Sequence, residues 1–189
     1  MNEQIIFMHI PKTAGRTLRS IIESNYSKDE IIRTYSDEQL KRFKDLSEKD
    51  RKKFKFIIGH NFFGMHQYLS GPYSYITMLR DPVERVISLY YFILREPGTP
   101  MYEKYHNKGL EYFLEEEPQT VNWQTQFIAG GSQNLAKAKA NLNQYFSVVG
   151  ISERFAESLS LFERKCGLKN LQYKNINVTP NRPKKEELP

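Results

Sequence analysis

The first residues of the chain run from an apolar segment through a short polar turn into a helical pattern. Residues 4–8 are almost continuously apolar, as in a parallel strand buried on both faces, and apolar residues return at helical spacing from Leu18 onward. The turn between them contains Lys12, Gly15 and two threonines. A helix that begins beyond the end of a strand points its first backbone N–H groups and the positive end of its dipole at a ligand. This order predicts an anion-binding turn at residues 12–17, to which Lys12 adds a full positive charge.

The turn differs from the phosphate loop of nucleoside triphosphatases. That loop has the form G-x-x-x-x-G-K-[ST], in which the lysine follows the second glycine and the hydroxyl residue binds magnesium. Here Lys12 comes before Gly15. We therefore expect a phosphate-like ligand and not ATP with magnesium, which makes a small-molecule kinase the weaker alternative.

Length, composition and charge bound the class of protein. A chain of 189 residues, 39% of them hydrophobic, fits one domain with a packed core. No apolar stretch reaches the roughly 20 residues of a membrane span, the N-terminus has no signal-peptide pattern, and the lone Cys166 fits a reducing compartment. We expect a cytoplasmic protein with no membrane partner.

The net charge of +6 indicates anionic partners. Much of the charge lies in residues 28–55, where acidic and basic side chains are interspersed as on solvated helices. We therefore expect no nucleic-acid partner, with a nucleic-acid surface as the alternative.

Strand-like and helix-like patterns alternate along the chain. Apolar runs predict strands at residues 4–9, 31–35, 54–59, 73–79 and 146–151. Helical spacing and capping residues predict helices at 15–24, from 36 to about 53, at 83–94 behind Asp81 and Pro82, and from a cap at Ser152 to a stop at Gly167. This alternation predicts a single α/β domain with a short central parallel sheet flanked by helices.

Polar residues follow three of the predicted strands. Lys12 follows the first strand, His60 follows the next long one, and Arg80 ends the strand at 73–79. Because ligands of parallel sheets bind at the carboxyl ends of the strands, we expect these side chains to meet in one crevice.

Several blocks of the chain resemble one family, the sulfotransferases that use 3′-phosphoadenosine 5′-phosphosulfate (PAPS), in particular the heparan sulfate 2-O-sulfotransferase branch and its bacterial relatives. The matching blocks are residues 9–17 (HIPKTAGRT), 59–60 (GH), 79–88 (LRDPVERVIS), 122–130 (NWQTQFIAG), 149–153 (VGISE) and 175–179 (NINVT). The resemblance implies a P-loop-like sulfotransferase fold over residues 1–179 and transfer of a sulfuryl group from PAPS to an acceptor hydroxyl, on a carbohydrate.

The resemblance also implies roles for the residues of the donor site. The 5′-phosphosulfate would be held by Lys12, Thr13, Ala14, Gly15, Arg16 and Thr17, and the 3′-phosphate by Arg80 and Ser88. Lys12 would neutralise the charge that develops on the leaving oxygen, so the transfer needs no metal. The alternatives are a salt bridge with Asp81 or Glu84 for Arg80 and an ordinary helix hydroxyl for Ser88, whereas Arg85 is expected to face solvent.

His60 occupies the position of the catalytic histidine in that branch. An imidazole with a pKa near 6.5 can take a proton from a hydroxyl at neutral pH. The alternatives are a core histidine at position 60 and a carboxylate base, Glu84 or Glu153. The remaining histidines are expected to be structural; they are His9, His66 and His106.

Two further segments bear on the acceptor and on completeness. Trp123, Gln124 and Thr125 could bind a sugar by stacking and hydrogen bonding, or could belong to a core helix, and the loop-rich residues 95–109 could cover an acceptor cleft. Residues 180–189 are proline-rich and charged, which predicts a disordered tail, although its basic residues Arg182, Lys184 and Lys185 could close over the 3′-phosphate. A tail this short leaves a non-catalytic nucleotide-binding relative as a further alternative.

Overall fold

A five-stranded parallel sheet forms the centre of the computed structural model, which describes residues 3–173. The strands are β1 (Gln4–Met8), β2 (Ile31–Arg33), β3 (Phe56–Gly59), β4 (Tyr73–Leu79) and β5 (Phe146–Ile151). Their order in the sheet is β2-β3-β1-β4-β5, and every adjacent pair is parallel. The predicted α/β architecture is confirmed, whereas the block at 175–179, the tail at 180–189 and the predicted domain end at 179 lie outside the described residues.

Nine α-helices surround the sheet within residues 3–173. They are α1 (Gly15–Asn25), α2 (Asp37–Asp45), α3 (Glu48–Arg51), α4 (Pro82–Ile93), α5 (Pro100–Tyr105), α6 (Leu110–Glu116), α7 (Trp123–Ile128), α8 (Leu135–Tyr145) and α9 (Phe155–Cys166). None of them combines the length and the apolar composition that a membrane crossing requires.

The sheet is buried on both faces, which explains the continuous apolar runs of its strands. On one face, side chains of β1, β3 and β4 pack with Leu18 and Ile22 of α1 and with Phe162 of α9. On the other face, the alternate side chains of the same strands pack with Phe43 of α2 and with Phe127 of α7. The two layers hold the carboxyl ends of the strands along one edge.

Capping residues begin and end the helices largely as the sequence predicts. Asp81 accepts the N–H of Glu84 and Pro82 occupies the first turn of α4. Ser36 caps α2, and Gly167 ends α9 with a left-handed φ of 65°.

Three local predictions are corrected by the structure. The helix expected from 36 to about 53 is divided, because Ser47 caps a separate helix, α3. The loop expected at 95–109 contains α5, because Thr99 caps a helix whose first turn begins with Pro100. Ser152 does not cap α9: it begins a short 3₁₀ turn and donates its hydroxyl to the carbonyl of Leu79.

The expectation that Arg85 faces solvent is also wrong. Its side chain is only 2% exposed and donates a hydrogen bond to the carbonyl of Gln119. Burial lowers its pKa to about 10, with the carboxylate of Glu117 acting in the opposite direction. Arg85 lies one helical turn before Leu89 and reaches the segment after α6 through this hydrogen bond.

Gly150 allows α9 to lie close against β5. A Cβ atom at this position would lie 2.5 Å from Sδ of Met78 and 2.6 Å from a ring carbon of Phe162. We expect Gly150→Ala to reduce the free energy of unfolding by about 1–3 kcal/mol through overpacking, as measured by urea denaturation. Gly71→Ala is the matched control, because a Cβ atom there meets nothing within 4 Å. Equal unfolding midpoints for the two variants would contradict this account of α9 packing.

Candidate functional site

The turn after β1 has a backbone that few side chains adopt. Lys12 and Ala14 have left-handed φ values of 72° and 63°, which costs free energy in residues other than glycine. Thr13 between them is completely buried and donates its hydroxyl to the carbonyl of Ile10 at 2.8 Å. The Thr13 hydroxyl therefore braces the turn from inside, and this residue can face an anion through its backbone only.

The hydrogen bonds of α1 itself begin at Thr17. The N–H groups of Thr17 and Leu18 bond to the carbonyl of Ala14, at 3.1 and 3.4 Å. In a helix the N–H groups before this point have no acceptor within the helix and are directed beyond its N-terminus. The Thr17 side chain is buried in this first turn, whereas Arg16 is exposed beside it. This arrangement directs backbone donors beyond the start of α1, and the anion cradle predicted at residues 12–17 stays a prediction.

A cluster of cations lies around this cradle. Burial, together with the positive charges of Arg95, Arg16 and Arg80, lowers the pKa of Lys12 to about 8. The Lys12 ammonium lies 3.8 Å from the centre of the Phe92 ring, in a cation–π contact. A bound anion would offset the repulsion within this cluster, so its electrostatics favour an anionic ligand.

Arg80 lies at the end of β4 and contacts the same turn. Its Nη1 donates to the main-chain carbonyl of Lys12 at 3.3 Å, so the two predicted anion-binding residues are adjacent. The guanidinium also pairs with Glu84 at 3.2 Å and lies 3.7 Å from Glu153. The structure thus contains the alternative salt bridge with Glu84, and it places both alternative carboxylate bases against Arg80.

Gln124 holds the main chain of Arg80. Its amide accepts the Arg80 N–H at 2.9 Å and donates to the Arg80 carbonyl at 2.8 Å. This paired hydrogen bond gives Gln124 a positioning contact with Arg80 and differs from the predicted contact with a sugar. Trp123, beside it at the start of α7, packs edge-on against Phe62.

Two other predicted residues occupy less defined positions. Ser88 is 8% exposed on the buried side of α4, two turns after Arg80. Thr125 is half-buried on α7, and its main-chain carbonyl accepts the N–H of Ala129. Binding of the 3′-phosphate by Ser88 and of a sugar by Thr125 stay predictions.

His60 follows β3 directly, next to the turn. Its Nδ1 lies 2.5 Å from the main-chain carbonyl oxygen of His9. A carbonyl can only accept, so Nδ1 carries the proton and the neutral ring presents a lone pair at Nε2. The ring is accessible to solvent but surrounded by protein, and this burial lowers its pKa below the ordinary value of 6.5. His60 is therefore an unprotonated acceptor at neutral pH.

The other histidines have neighbours typical of structural residues. His9 is 3% exposed and its Nδ1 lies 2.7 Å from the Tyr35 hydroxyl. His66 contacts the Tyr75 hydroxyl through Nδ1, and His106 stacks on Tyr102 at the end of α5.

A pocket of about 440 Å³ opens beside His60, between the ends of β2 and β3 and the 3₁₀ turn at Met65–Tyr68. Its walls combine aromatic rings, amides and one residue of each charge sign. The lining residues are Thr34, Tyr35, Ser36, Asp37, Leu40, Lys44, His60, Asn61, Phe62, Phe63, Gly64, Met65, Gln67 and Tyr68. Trp123 contributes indirectly, through Phe62.

Sequence reasoning missed Tyr35 as a residue of the site. It lies just beyond β2, at one edge of the sheet, as His60 lies beyond β3. The same rule about strand ends, applied to β2, could have found it. Gln124 carries no comparable signal, because its partner is a main chain 44 residues away.

Two curated sulfotransferases are similar to this chain in sequence. The chain is 26% identical to uronyl 2-sulfotransferase of Homo sapiens over 195 residues, which cover 85% of this chain and 48% of that protein. It is 25% identical to heparan sulfate 2-O-sulfotransferase 1 of Mus musculus over 192 residues, which cover 84% of this chain and 53% of that protein. The chain thus spans about half the length of these curated relatives.

A solved structure shares the fold. The mouse sulfotransferase SULT7A1 complexed with PAP matches with a TM-score of 0.52 and 16% identity, over 90% of this chain and 60% of that one. The model of the sulfotransferase family matches residues 1–187. With a match of this extent, the chain belongs to the sulfotransferase family.

Proposed function

We propose that this chain transfers a sulfuryl group from PAPS to a hydroxyl of a carbohydrate, with His60 as the general base. One observation carries the proposal: the cation cluster around Lys12 and the lone pair of His60 lie at the same edge of the sheet, joined through the few residues after β1. Arg80 contacts the carbonyl of Lys12, and His60 contacts the carbonyl of His9. The names of the two relatives support a carbohydrate acceptor, and the PAP in the related structure supports the nucleotide.

The residues of the cradle fit a doubly phosphorylated nucleotide. The first turn of α1 offers backbone donors, and Lys12 and Arg16 add charge where a phosphosulfate would be held. Arg80 offers a planar fork suited to a terminal phosphate, with Ser88 two turns further along α4. A phosphate at Arg80 would compete with Glu84 for the guanidinium.

Two residues of this chain carry out the transfer. His60 accepts the proton of the acceptor hydroxyl at Nε2, while Nδ1–H stays on the His9 carbonyl and holds the ring in place. PAPS, when bound, would supply the sulfur that the hydroxyl oxygen attacks, and the bond between this sulfur and the bridging oxygen would break. Lys12 neutralises the negative charge that develops on that oxygen. The pocket beside His60 would hold the acceptor, with Trp123 extending its aromatic wall through Phe62.

The first prediction concerns nucleotide preference. We expect adenosine 3′,5′-bisphosphate to raise the thermal unfolding temperature more than AMP, or ATP with magnesium, at equal concentration. A ligand at a hundredfold excess over its Kd stabilises by about 2.7 kcal/mol. The Arg80→Ala variant should lose this preference for the bisphosphate. Equal shifts with AMP would argue against a 3′-phosphate site, and a larger shift with ATP would favour a kinase.

The second prediction follows from the lowered pKa of Lys12. In the free protein this pKa is about 8, and a bound anion raises it by favouring the charged form. Affinity for the bisphosphate should therefore fall as the pH rises above 8, by up to about tenfold per pH unit, with proton uptake on binding detected by calorimetry. Lys12→Arg is the control, because its guanidinium stays protonated and should keep the affinity constant. Wild-type affinity that is constant over the same pH range would contradict the assignment.

The third prediction separates binding from chemistry. We expect His60→Ala to retain the bisphosphate Kd and to reduce sulfuryl transfer to desulfated heparan polysaccharide by about 10²–10⁴-fold. In the wild type, transfer should decline only below pH 6.5, because burial lowers the pKa of His60 and the base is lost as that group protonates. His106→Ala is the control, because the His106 ring stacks on Tyr102 at the end of α5 and does not line the pocket, and this variant should transfer at the wild-type rate. Unchanged transfer by His60→Ala would exclude it as the base.

A further inference from the structure

Three aromatic rings meet at the ends of β1, β2 and β3, and one of them is the imidazole of the proposed base, His60. The rings of His9 and His60 have centroids 4.6 Å apart, those of Tyr35 and His60 4.7 Å apart, and those of His9 and Tyr35 5.5 Å apart. We propose that Tyr35 and His9 are positioning residues that fix the orientation of the His60 imidazole. We call His9, Tyr35 and His60 the ring triangle. The proposal rests on the proposed function only in taking His60 as the base.

His9 is the immobile side of the ring triangle. Its main-chain N–H bonds to the carbonyl of Gly59 at 3.0 Å, so its backbone is part of the sheet. Its ring stacks on Phe7 at 5.4 Å with an interplanar angle of 9°. A Cβ atom on Gly15 would lie 2.2 Å from the His9 ring, which shows how closely the first turn of α1 presses on the imidazole. His9 can therefore serve as a fixed wall.

Tyr35 is held against that wall by a hydrogen bond to His9, and the Arg19 guanidinium, 5.3 Å from the centre of the Tyr35 ring, contacts the same side chain. Its hydroxyl lies 2.7 Å from Nδ1 of His9. Burial raises the pKa of this phenol to about 12, and burial keeps the pKa of His9 well below 6.5. The phenol thus keeps its proton, and the unprotonated Nδ1 of His9 can accept a hydrogen bond. Tyr35 is therefore the donor and His9 the acceptor. The Tyr35 ring is left edge-on to His60, at an interplanar angle of 79°.

The ring triangle also links the base to the anion cradle. Gly15 belongs to the first turn of α1, which holds the proposed phosphosulfate site, and it touches the same His9 ring that flanks His60. A shift of the cradle relative to β1 would therefore move one wall of the base. Transfer needs the attacking hydroxyl oxygen in line with the leaving oxygen, so a common wall keeps the residue that meets this hydroxyl in register with the proposed phosphosulfate site.

Tyr35→Phe tests the proposal because it removes the hydroxyl and keeps the ring. We expect kcat for transfer to desulfated heparan polysaccharide to fall about tenfold, with KM and the bisphosphate Kd unchanged, since misorientation affects only the chemical step. Tyr90→Phe is the matched control: it removes a phenol hydroxyl that donates to the Lys108 carbonyl at 2.8 Å, within the packing of α4. Tyr90→Phe should keep the wild-type kcat.

A double-mutant cycle shows whether Tyr35 acts through His60. If it does, Tyr35→Phe will cause no further loss when His60 is already alanine. Tyr35 also lines the acceptor pocket, so it could instead contact the acceptor directly. An equal loss in both backgrounds, or a rise in KM, would establish that second role and overturn the proposal.

Ring mobility gives a measure that does not depend on activity. Carbon-13 relaxation at Cε1 of His60, in the bisphosphate-bound protein, should report a rigid ring in the wild type and in Tyr90→Phe, and a mobile one in Tyr35→Phe. A rigid His60 ring in Tyr35→Phe overturns the proposal even if no acceptor is turned over. Failure of the bisphosphate to stabilise the protein would instead count against the proposed function, and the same relaxation measurement on the free protein would still test the ring triangle.

Discussion

The candidate site depends on the main-chain carbonyls at the end of β1, the central strand of the sheet, and just after it. In sequence order these carbonyls accept hydrogen bonds from the side chains of four residues in three different segments. The pairs are Met8 with Thr77, His9 with His60, Ile10 with Thr13, and Lys12 with Arg80. Because β1 lies between β3 and β4, its last residues are within reach of side chains from both neighbours. The backbone at the end of β1 and just after it therefore links the predicted anion-binding turn, His60 and Arg80.

Charge is distributed unequally along this edge of the sheet. Lys12 lies among other cations, and its pKa is lowered to about 8. Burial lowers the pKa values of His60 and His9 and so keeps both imidazoles uncharged. An anion beside Lys12 would relieve repulsion at one end of the site. An acceptor hydroxyl at the other end would meet a neutral lone pair. The two kinds of group suit the two halves of a group transfer, in which one side must stabilise negative charge and the other must accept a proton.

The sequence predicted the sheet and the placement of Lys12, His60 and Arg80 at one edge of it because both depend on local patterns. Apolar runs identify strands that are buried on both faces, and parallel strands carry the residues that follow them to a common edge. The identity of the acceptor lies beyond such reasoning. Arg85 was predicted to face solvent because of its charge, although it lies one turn from the apolar Leu89. Only the tertiary structure shows that its guanidinium is buried and bonded to the Gln119 carbonyl, in the segment after α6. The pairing of Gln124 with the Arg80 peptide depends on tertiary placement alone.

The hydrogen bond from His60 to the His9 carbonyl has a consequence for how this site can vary. The acceptor atom belongs to the polypeptide backbone, so every amino acid at position 9 supplies it. The choice of tautomer at His60 is thereby independent of side-chain identity and is inherited with the path of the strand. A substitution at position 9 would change the ring that flanks His60 and leave the acceptor of its Nδ1–H in place.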